Sequence, residues 1–303
     1  MHIITPTSDL SSDQQSIFMQ GASYLLVEGA LQVGVWSENT PQHEGSSSVT
    51  MGACLLDEKE AVSFLKNCII YIREKHPHRP IIGPMNGNTW MKHRLILDSN
   101  NRSLFLMEPM EPLSLTEVFK EAGFEMLSRY SSSVIDLTED QPNFQRVEQI
   151  VAKQGIDIRQ IDMNHFERDL TQIYNLSLAA FSNNFLYTPL PKQAFMRSYV
   201  SSKDRIDPEF VLLAFKGETL IGVLFCMPDL DPSVLIVKTL ATSPDHRAAG
   251  LGTLLVARAH QRAKDKGYTE AIHALQYESN SSLRISQRFN AEKFRTYGLM
   301  SII

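Results

Sequence analysis

Apolar positions along the chain recur at two spacings, and the two alternate. From Ser23 to Trp36 (SYLLVEGALQVGVW) they form two runs broken at Glu28-Gly29, a pattern of paired strands. Pro41–Ser48 is rich in Gly, Ser and Pro and reads as loop, with Val49–Leu56 as the next strand. Between Asp57 and His76 the spacing becomes helical, placing Ala61, Phe64, Leu65, Cys68, Ile69 and Ile72 on one face. A short buried strand is expected at Pro80–Met85. Ser114-Leu115-Thr116-Glu117 has the form of a capping box for a helix ending at Gly123, and Met126–Leu137 reads as strand. The first dozen residues are polar and read as loosely ordered.

The order repeats after a polar interruption at Thr138–Gly155, whose Phe144–Ala152 portion reads as a linking helix. Ile156, Ile158 and Ile161 stand at near-strand spacing. The stripe Phe166, Leu170, Ile173, Leu176 or Ser177, Ala180 and Phe181 then marks an amphipathic helix. Phe210–Phe225 reads as two strands joined by Lys216-Gly217-Glu218. Leu235–Thr242 is an apolar strand, followed by a turn through Ser243-Pro244-Asp245 and a helix with Leu251, Leu254, Leu255 and Ala259 on one face. Gly267 ends that helix, Ala271–Gln276 is a short strand, Asn280 opens another helix, and Arg295–Ile303 closes as strand. The expected domains are residues 1–140 and 156–303, joined by a linker at 141–155.

Length and composition fit this division. At 303 residues the chain has room for two ordinary domains, with 43% hydrophobic and 21% charged residues. A net charge of −5 offers no electrostatic case for nucleic acid. The three cysteines, Cys54, Cys68 and Cys226, lie far apart, with neither a CxxC pair nor metal spacing, so no metal is expected. No apolar run reaches a membrane span and the N-terminal residues lack signal-peptide character, which gives the expectation of a cytoplasmic protein.

The chemistry concentrates at Arg247-Ala248-Ala249-Gly250-Leu251-Gly252, between the strand and the helix. A glycine-containing loop feeding a helix start aims several N–H groups and the positive end of the helix dipole at one point, which suits a phosphate. Walker chemistry is excluded because Thr253-Leu254, not Lys-Ser/Thr, follows Gly252. A Rossmann fingerprint is excluded because Leu255 stands where a glycine or alanine is needed.

Arg-x-x-Gly-x-Gly after a strand ending Leu240-Ala241-Thr242 resembles the acetyl-CoA pyrophosphate loop of the GNAT N-acyltransferase superfamily. The hairpin before it, the strand after it and the asparagine-led last helix keep the superfamily's order over roughly Ile156–Ile303. Phe119–Phe124 (FKEAGF) resembles the helix-to-strand junction near the end of many GNAT domains, and the first half has a parallel order of elements. The chain therefore resembles a tandem acyltransferase of a bacterial type. The implied fold class is α/β (α+β): two GNAT-like copies, each a mixed, mostly antiparallel sheet flanked by helices. In the first copy Asp57-Glu58-Lys59-Glu60 stands where the loop would be, so that copy is expected to bind no CoA.

The resemblance implies direct transfer of an acyl group from acetyl-CoA, or another acyl-CoA, to an amine of a small molecule or peptide. Leu240, Ala241 and Thr242 would hold the pantetheine arm, and the Leu240 N–H would stabilise the oxyanion. Arg247, Ala248, Ala249, Gly250, Leu251, Gly252 and Thr253 would hold the pyrophosphate, with Asn280 and Ser286 also touching the cofactor. The tyrosine that many family members place in the last helix is missing. Ser286 stands near that position, with Tyr277, Tyr297 or water as alternatives for the leaving thiolate. His273, Glu278 and relayed water stay open as the base. Arg258, Arg262 and Lys266 form a basic helix face, either a solvated surface or a seat for the 3′-phosphate. Phe181, Asn183, Asn184, Phe185 and Tyr187 are the candidate acceptor-binding residues, aromatic and amide groups in a connector. A homodimer is compatible with these features. Competing functions are a non-catalytic acyl-CoA-binding or regulatory protein and an aminoacyl-tRNA-dependent transferase; the charge and the intact loop weigh against the latter.

Overall fold

The computed structural model describes residues 1–6, 9–56, 59–98, 100, 102–110, 112–246 and 248–303. It divides into two compact units: Met1–Tyr130 with Phe185–Thr188 and Arg295–Ile303, and Ser131–Asn184 with Pro189–Phe294. Each has the mixed, largely antiparallel sheet and flanking helices expected of its half of the chain.

The first unit comprises β1 (His2–Ile4), α1 (Ser12–Met19), β2 (Tyr24–Glu28), β3 (Leu31–Trp36), the small pair β4 (Gln42–His43) and β5 (Ser46–Ser47), β6 (Val49–Leu55), α2 (Ala61–Lys75), β7 (Ile81–Gly83), β8 (Leu95–Ile96), α3 (Ser114–Glu121) and the start of β9 (Glu125–Asp136). Its sheet runs β1-β2-β3-β6-β7, with β6 and β7 parallel. The chain's last strand, β15 (Glu292–Ile302), pairs antiparallel with β7 and β8. The helical stripe of α2 is buried as its spacing predicts, with Phe64, Leu65, Cys68 and Ile72 packed on Val33, Val49, Met51 and Ile81.

The second unit holds the end of β9, α4 (Gln145–Lys153), β10 (Ile156–Gln160), α5 (Phe166–Phe181), α6 (Lys192–Val200), β11 (Val211–Lys216), β12 (Thr219–Pro228), β13 (Val234–Thr242), α7 (Leu251–Asp265), β14 (Glu270–Tyr277) and α8 (Ser282–Arg288). Its sheet runs β14-β13-β12-β11-β10, antiparallel except for the parallel pair β13/β14. Leu251, Leu254, Leu255, Ala259 and Ala263 of α7 bury against Leu212, Ala214, Leu224, Leu235 and Val237. The close fit uses a glycine: a Cβ at Gly222 would stand 2.9 Å from Leu251 Cδ2.

Four sequence expectations differ from the structure. Where the N-terminal dozen is described, it holds regular structure: His2–Ile4 form β1 against β2, and Ser11 and Gln14 form a capping box on α1. Helix α2 starts at Ala61 rather than Asp57; Asp57 and Glu58 lie outside the described residues. Ser114 is the first helical residue of α3 and caps nothing, the N-cap being Leu113. Helix α6 was not anticipated, since it buries only Phe195 and shows little apolar period. The chain path is also more interleaved than a division at 140–156: Ser131–Asp136 of β9 belongs to the second unit and Arg295–Ile302 of β15 to the first.

Where β15 enters the first unit it brings in a charge that must be neutralised. Arg295 and Glu108 are fully buried and paired at 2.6 Å. The Tyr297 hydroxyl donates to the other Glu108 oxygen, the Phe105 amide donates to Glu108 at 3.1 Å, and Arg295 also donates to the Arg102 carbonyl. Removing one member of such a pair strands a buried charge. We expect Glu108→Ala to destabilise the first unit by about 3–5 kcal/mol in chemical denaturation; a loss below about 1 kcal/mol would show that Arg295 finds water instead.

Candidate functional site

The site of interest in the second unit begins as a defect in strand pairing. β13 and β14 are registered only from Val234/Glu270 to Val237/His273, although β13 continues to Thr242 and β14 to Tyr277. Two backbone irregularities separate them. In β13 the register against β12 slips between Thr239, opposite Phe225, and Val237, opposite Cys226, which leaves Lys238 as an extra, bulged residue. In β14, Leu275 takes a left-handed φ of 54°, a conformation strained for leucine, and its amide donates to Ser132 Oγ at 3.0 Å.

Register then says which way the freed groups point. The Ser243 amide donates to the Ile221 carbonyl at 2.8 Å, so that directly opposed pair is hydrogen-bonded. By the antiparallel alternation, the Ala241 and Thr239 amides also face β12, whereas the amides of Leu240 and Thr242 face away from it. Among the described residues no strand is registered against them on that side. The result is a short open edge carrying unpaired main-chain donors.

Beyond this edge lies the α7 start. Gly250 is its N-cap at φ 82°, a left-handed turn that glycine adopts without strain. Helix geometry leaves the Gly252 and Thr253 amides in the first turn without acceptors in α7. Arg288 of α8 donates to Thr253 Oγ1 at 3.1 Å. Gly252 permits close packing, since a Cβ there would meet Ile285 Cδ1 at 3.1 Å and Leu240 Cδ2 at 3.4 Å. Ala248 is half-buried and Ala249 exposed, while Arg247 lies outside the described residues. The edge at Leu240–Thr242 and the donors at Gly252–Thr253 are thus joined by one short loop, a layout that could hold an extended amide-bearing chain ending in phosphates.

The two candidates for meeting the thiolate are placed elsewhere, which corrects the expectation. Ser286 is 3% exposed and turned into the core. Its Oγ lies 2.6 Å from His273 Nδ1, 3.0 Å from Gln276 Oε1 and 3.3 Å from the Ser282 carbonyl. Tyr297 is fully buried in the first unit with its hydroxyl on Glu108, so it is a core tyrosine. His273 is likewise no accessible base, because its Nε2 lies 3.2 Å from His260 Nε2 and the ring is buried. Asn280 Oδ1 accepts from the Ser282 amide at 3.1 Å in an Asx turn just before α8, whose N-cap is Ser281. Tyr277 is half-buried and Glu278 exposed at the end of β14.

The remaining candidates divide similarly. The basic face of α7 is paired: Arg258 with Glu148, Arg262 with Glu209, and Lys266 with Asp207 and Glu209. Of the connector residues, Phe181, Asn183 and Asn184 belong to the second unit, the two asparagines exposed. Phe185 and Tyr187 belong to the first, where their rings meet His43 and Trp90. Among the described residues no three His, Cys, Asp or Glu side chains gather as a metal site, and no helix is long and apolar enough to cross a membrane.

The first unit contains a counterpart of the same opening, and there it is filled. β6 and β7 are registered only at Val49/Ile81 and Thr50/Ile82, and β6 also bulges, with Ala53 at φ 48°. The chain after β7 turns back along β6: the Met85 amide donates to Met51 O at 2.6 Å, and the Gly87 amide to Thr50 Oγ1 at 3.1 Å. Asn86 Oδ1 accepts from the Ala53 amide at 2.7 Å. The plug is tight, since a Cβ at Gly52 would stand 2.1 Å from Asn86 Oδ1.

Comparison with known proteins agrees with this geometry. Residues 170–289 match the Acetyltransferase (GNAT) family model. No curated protein matches the chain in sequence. Among solved structures, a GCN5-related glucosamine N-acetyltransferase region of a fungal multi-domain GH3 β-N-acetylglucosaminidase aligns over 97% of this chain at 13% identity and TM-score 0.57; this chain spans 35% of that one. A GCN5-related N-acetyltransferase from Sphaerobacter thermophilus aligns over 97% of this chain and 86% of its own, at 13% identity and TM-score 0.56. A tandem GNAT protein from the clavulanic acid biosynthesis pathway aligns over 99% of this chain and 90% of its own, at 10% identity and TM-score 0.52. Residues 170–289 thus match the GNAT family model, and the chain has the fold of the tandem GNAT protein.

The buried imidazoles predict how the second unit responds to acid. One set of protons satisfies the chain: His260 Nε2–H to His273 Nε2, His273 Nδ1–H to Ser286 Oγ, and the Ser286 hydroxyl to Gln276 Oε1. Both rings are then neutral. Burial pushes the His273 pKa down to about 4, and burial together with the neighbouring ring pushes His260 well below its ordinary 6.5. Between 6.5 and about 4 the unfolded chain binds protons that the folded unit refuses. Stability is therefore complete above that window and is lost as pH falls through it. A shift of that size at His273 corresponds to roughly 3 kcal/mol. Thermal unfolding of the His273→Gln, His260→Gln double variant should depend less steeply on pH between 7 and 4 than that of the parent; equal slopes would refute the assignment.

Proposed function

We propose that the second unit is an acyl-CoA-dependent N-acyltransferase, moving acetyl from acetyl-CoA to an amine of a small molecule or peptide by direct attack. The observation that carries this reading is the divergence of β13 from β14, which leaves the Leu240 and Thr242 main-chain donors facing an unpaired edge. Acetyl-CoA supplies the activated thioester carbonyl and a thiolate that departs without strong acid help. Leu240 and Thr242 hold the pantetheine amides as a neighbouring strand would. The Leu240 N–H donates to the carbonyl oxygen as negative charge develops there, in a geometry set before reaction by the bulge. The loop from Arg247 to Thr253 holds the pyrophosphate through first-turn amides, the α7 dipole and the Arg247 charge.

The plugged opening supports a single cofactor site. In the first unit the Ala53 amide already has Asn86 Oδ1 as its acceptor, and Asn86 occupies the space beside Gly52. With Ser286 and Tyr297 committed elsewhere, the thiolate takes its proton from Tyr277, from water or from the acceptor amine. This makes the reaction depend on positioning and the oxyanion donor more than on a dedicated acid.

Calorimetry of the full chain with acetyl-CoA should therefore show one site, and two equivalent sites would refute the asymmetry. A loop variant must spare the packing. A Cβ at Gly250 would stand 2.7 Å from Val147 Cγ1, so Gly250→Val would disturb α4 as well as the loop. Ala249 is exposed, and Ala249→Glu places a negative charge there without intruding on the packed core. Its acetyl-CoA affinity should fall about tenfold or more, on the scale of a charge placed against a phosphate, with an unchanged melting temperature. Normal affinity in a folded Ala249→Glu protein would remove the pyrophosphate from this loop.

A further inference from the structure

Lys238 is the one bulged residue of β13, and nothing in the acyl-transfer scheme uses it. Leu224 and Leu240 stand opposite each other, and Leu240 packs toward Gly252 of α7. Their neighbours Phe225 and Thr239 therefore face the other side of the sheet, where α5 contacts β12 and β13. The extra residue lets Lys238 turn to that side: its Nζ lies 5.8 Å from the Phe225 ring centroid, and the Tyr199 ring meets Phe225 edge-on at 6.2 Å. Lys238 is half-buried, and burial lowers its pKa.

Lys238 combines burial of its ammonium with the lack of an anion. Arg159, Arg258, Arg262 and Lys266 each meet a carboxylate. Among the described residues Lys238 has no ion pair and no hydrogen bond, only the Phe225 ring face. A partly desolvated ammonium without a counter-ion is unfavourable unless a ligand completes it. Lys238 is also two residues along β13 from Leu240, whose amide faces the open edge, so both belong to the strand that would hold the thioester.

We propose that Lys238 binds a carboxylate on the acceptor, so that the acceptor is an amino-acid-like amine whose apolar part lies along Phe225 and Tyr199. This rests on the acyltransferase reading and adds the substrate class to it. The role of Lys238 is to position: it fixes the acceptor by its charge and leaves the proton transfer to water or to the amine itself.

The test uses the full chain with acetyl-CoA and a panel of amino acids, each paired with its own amide, read by thiol release. The parent protein should show a KM for acids at least tenfold below that for amides, the scale of one charge-assisted hydrogen bond. Lys238→Met keeps the stem over Phe225 but removes the charge. It should raise KM for acids tenfold or more, leave amides nearly unchanged, and leave acetyl-CoA affinity by calorimetry intact. Lys238→Arg should restore most of the preference. Comparing each pair between the two proteins cancels the different basicity of the amines. The proposal is overturned if acids and amides are treated alike, if no amino acid reacts although acetyl-CoA binds, or if Lys238→Met lowers kcat and moves the pH profile at constant KM, which would make Lys238 the base. Failure of acetyl-CoA to bind at all would instead overturn the acyltransferase reading.

Discussion

A main-chain amide that loses its neighbouring strand has to find another acceptor, and both units are organised around that requirement. Each contains a parallel strand pair that stays in register for a few residues and then separates beside a bulged strand. In the first unit the chain answers from within, through Asn86 Oδ1 on the Ala53 amide and Met85 on the Met51 carbonyl. In the second the edge at Leu240 and Thr242 is left open. An open edge is an interaction surface by construction, because the strand that would complete it can be supplied by a ligand. One backbone device is thus closed by the chain itself in one copy and left as an open edge in the other, and the difference lies in a few residues after β7.

The elements were legible wherever the signal was local. The stripes of α2, α5 and α7, the hairpin around Gly217 and the glycine-led start of α7 all follow from spacing and turn chemistry. The capping box at Ser11–Gln14 was equally local and was masked by the polarity of its surroundings. What could not be read were polar side chains whose partners are remote. Tyr297 sits in a strand correctly placed by its pattern, yet its hydroxyl is set by Glu108, 189 positions earlier. Ser286 falls at the right helical spacing to face a ligand. Spacing cannot say which side of a short helix meets a buried histidine, and the contact with His273 decides it.

Buried polar groups also explain why the reactive-looking residues are not reactive. Ser286, His273 and His260 form a serine–histidine chain of the kind that suggests nucleophilic catalysis. Its members are buried, its protons run toward Gln276, and both imidazoles are held neutral, so it satisfies hydrogen bonds under α7 and α8. Asp169 is similar: fully buried, it takes two hydrogen bonds from Arg159 and one from the Asp162 amide, which holds its carboxyl below the usual range and ties β10 to α5. In both networks the groups that look reactive, Ser286, His273 and Asp169, are already hydrogen-bonded inside the protein, which leaves them little to offer a substrate.

The same reasoning, inverted, gives weight to Lys238. A bulge does two things at once: it rotates the backbone so that the following amide leaves the ladder, and it adds a side chain with no place in the alternation. The first consequence frees the Leu240 amide, and the second puts an ammonium against Phe225 without a counter-ion. A lysine inside the apolar run Leu235–Ala241 is unfavourable for folding as it stands, since a polar residue or none would serve the strand equally well. Its desolvation becomes an advantage only when an anion arrives, because the attraction between opposite charges grows as water is excluded. On the proposed reading, the inserted residue therefore links the Leu240 amide that would face the thioester to the ammonium that would select the acceptor, two residues apart on one strand.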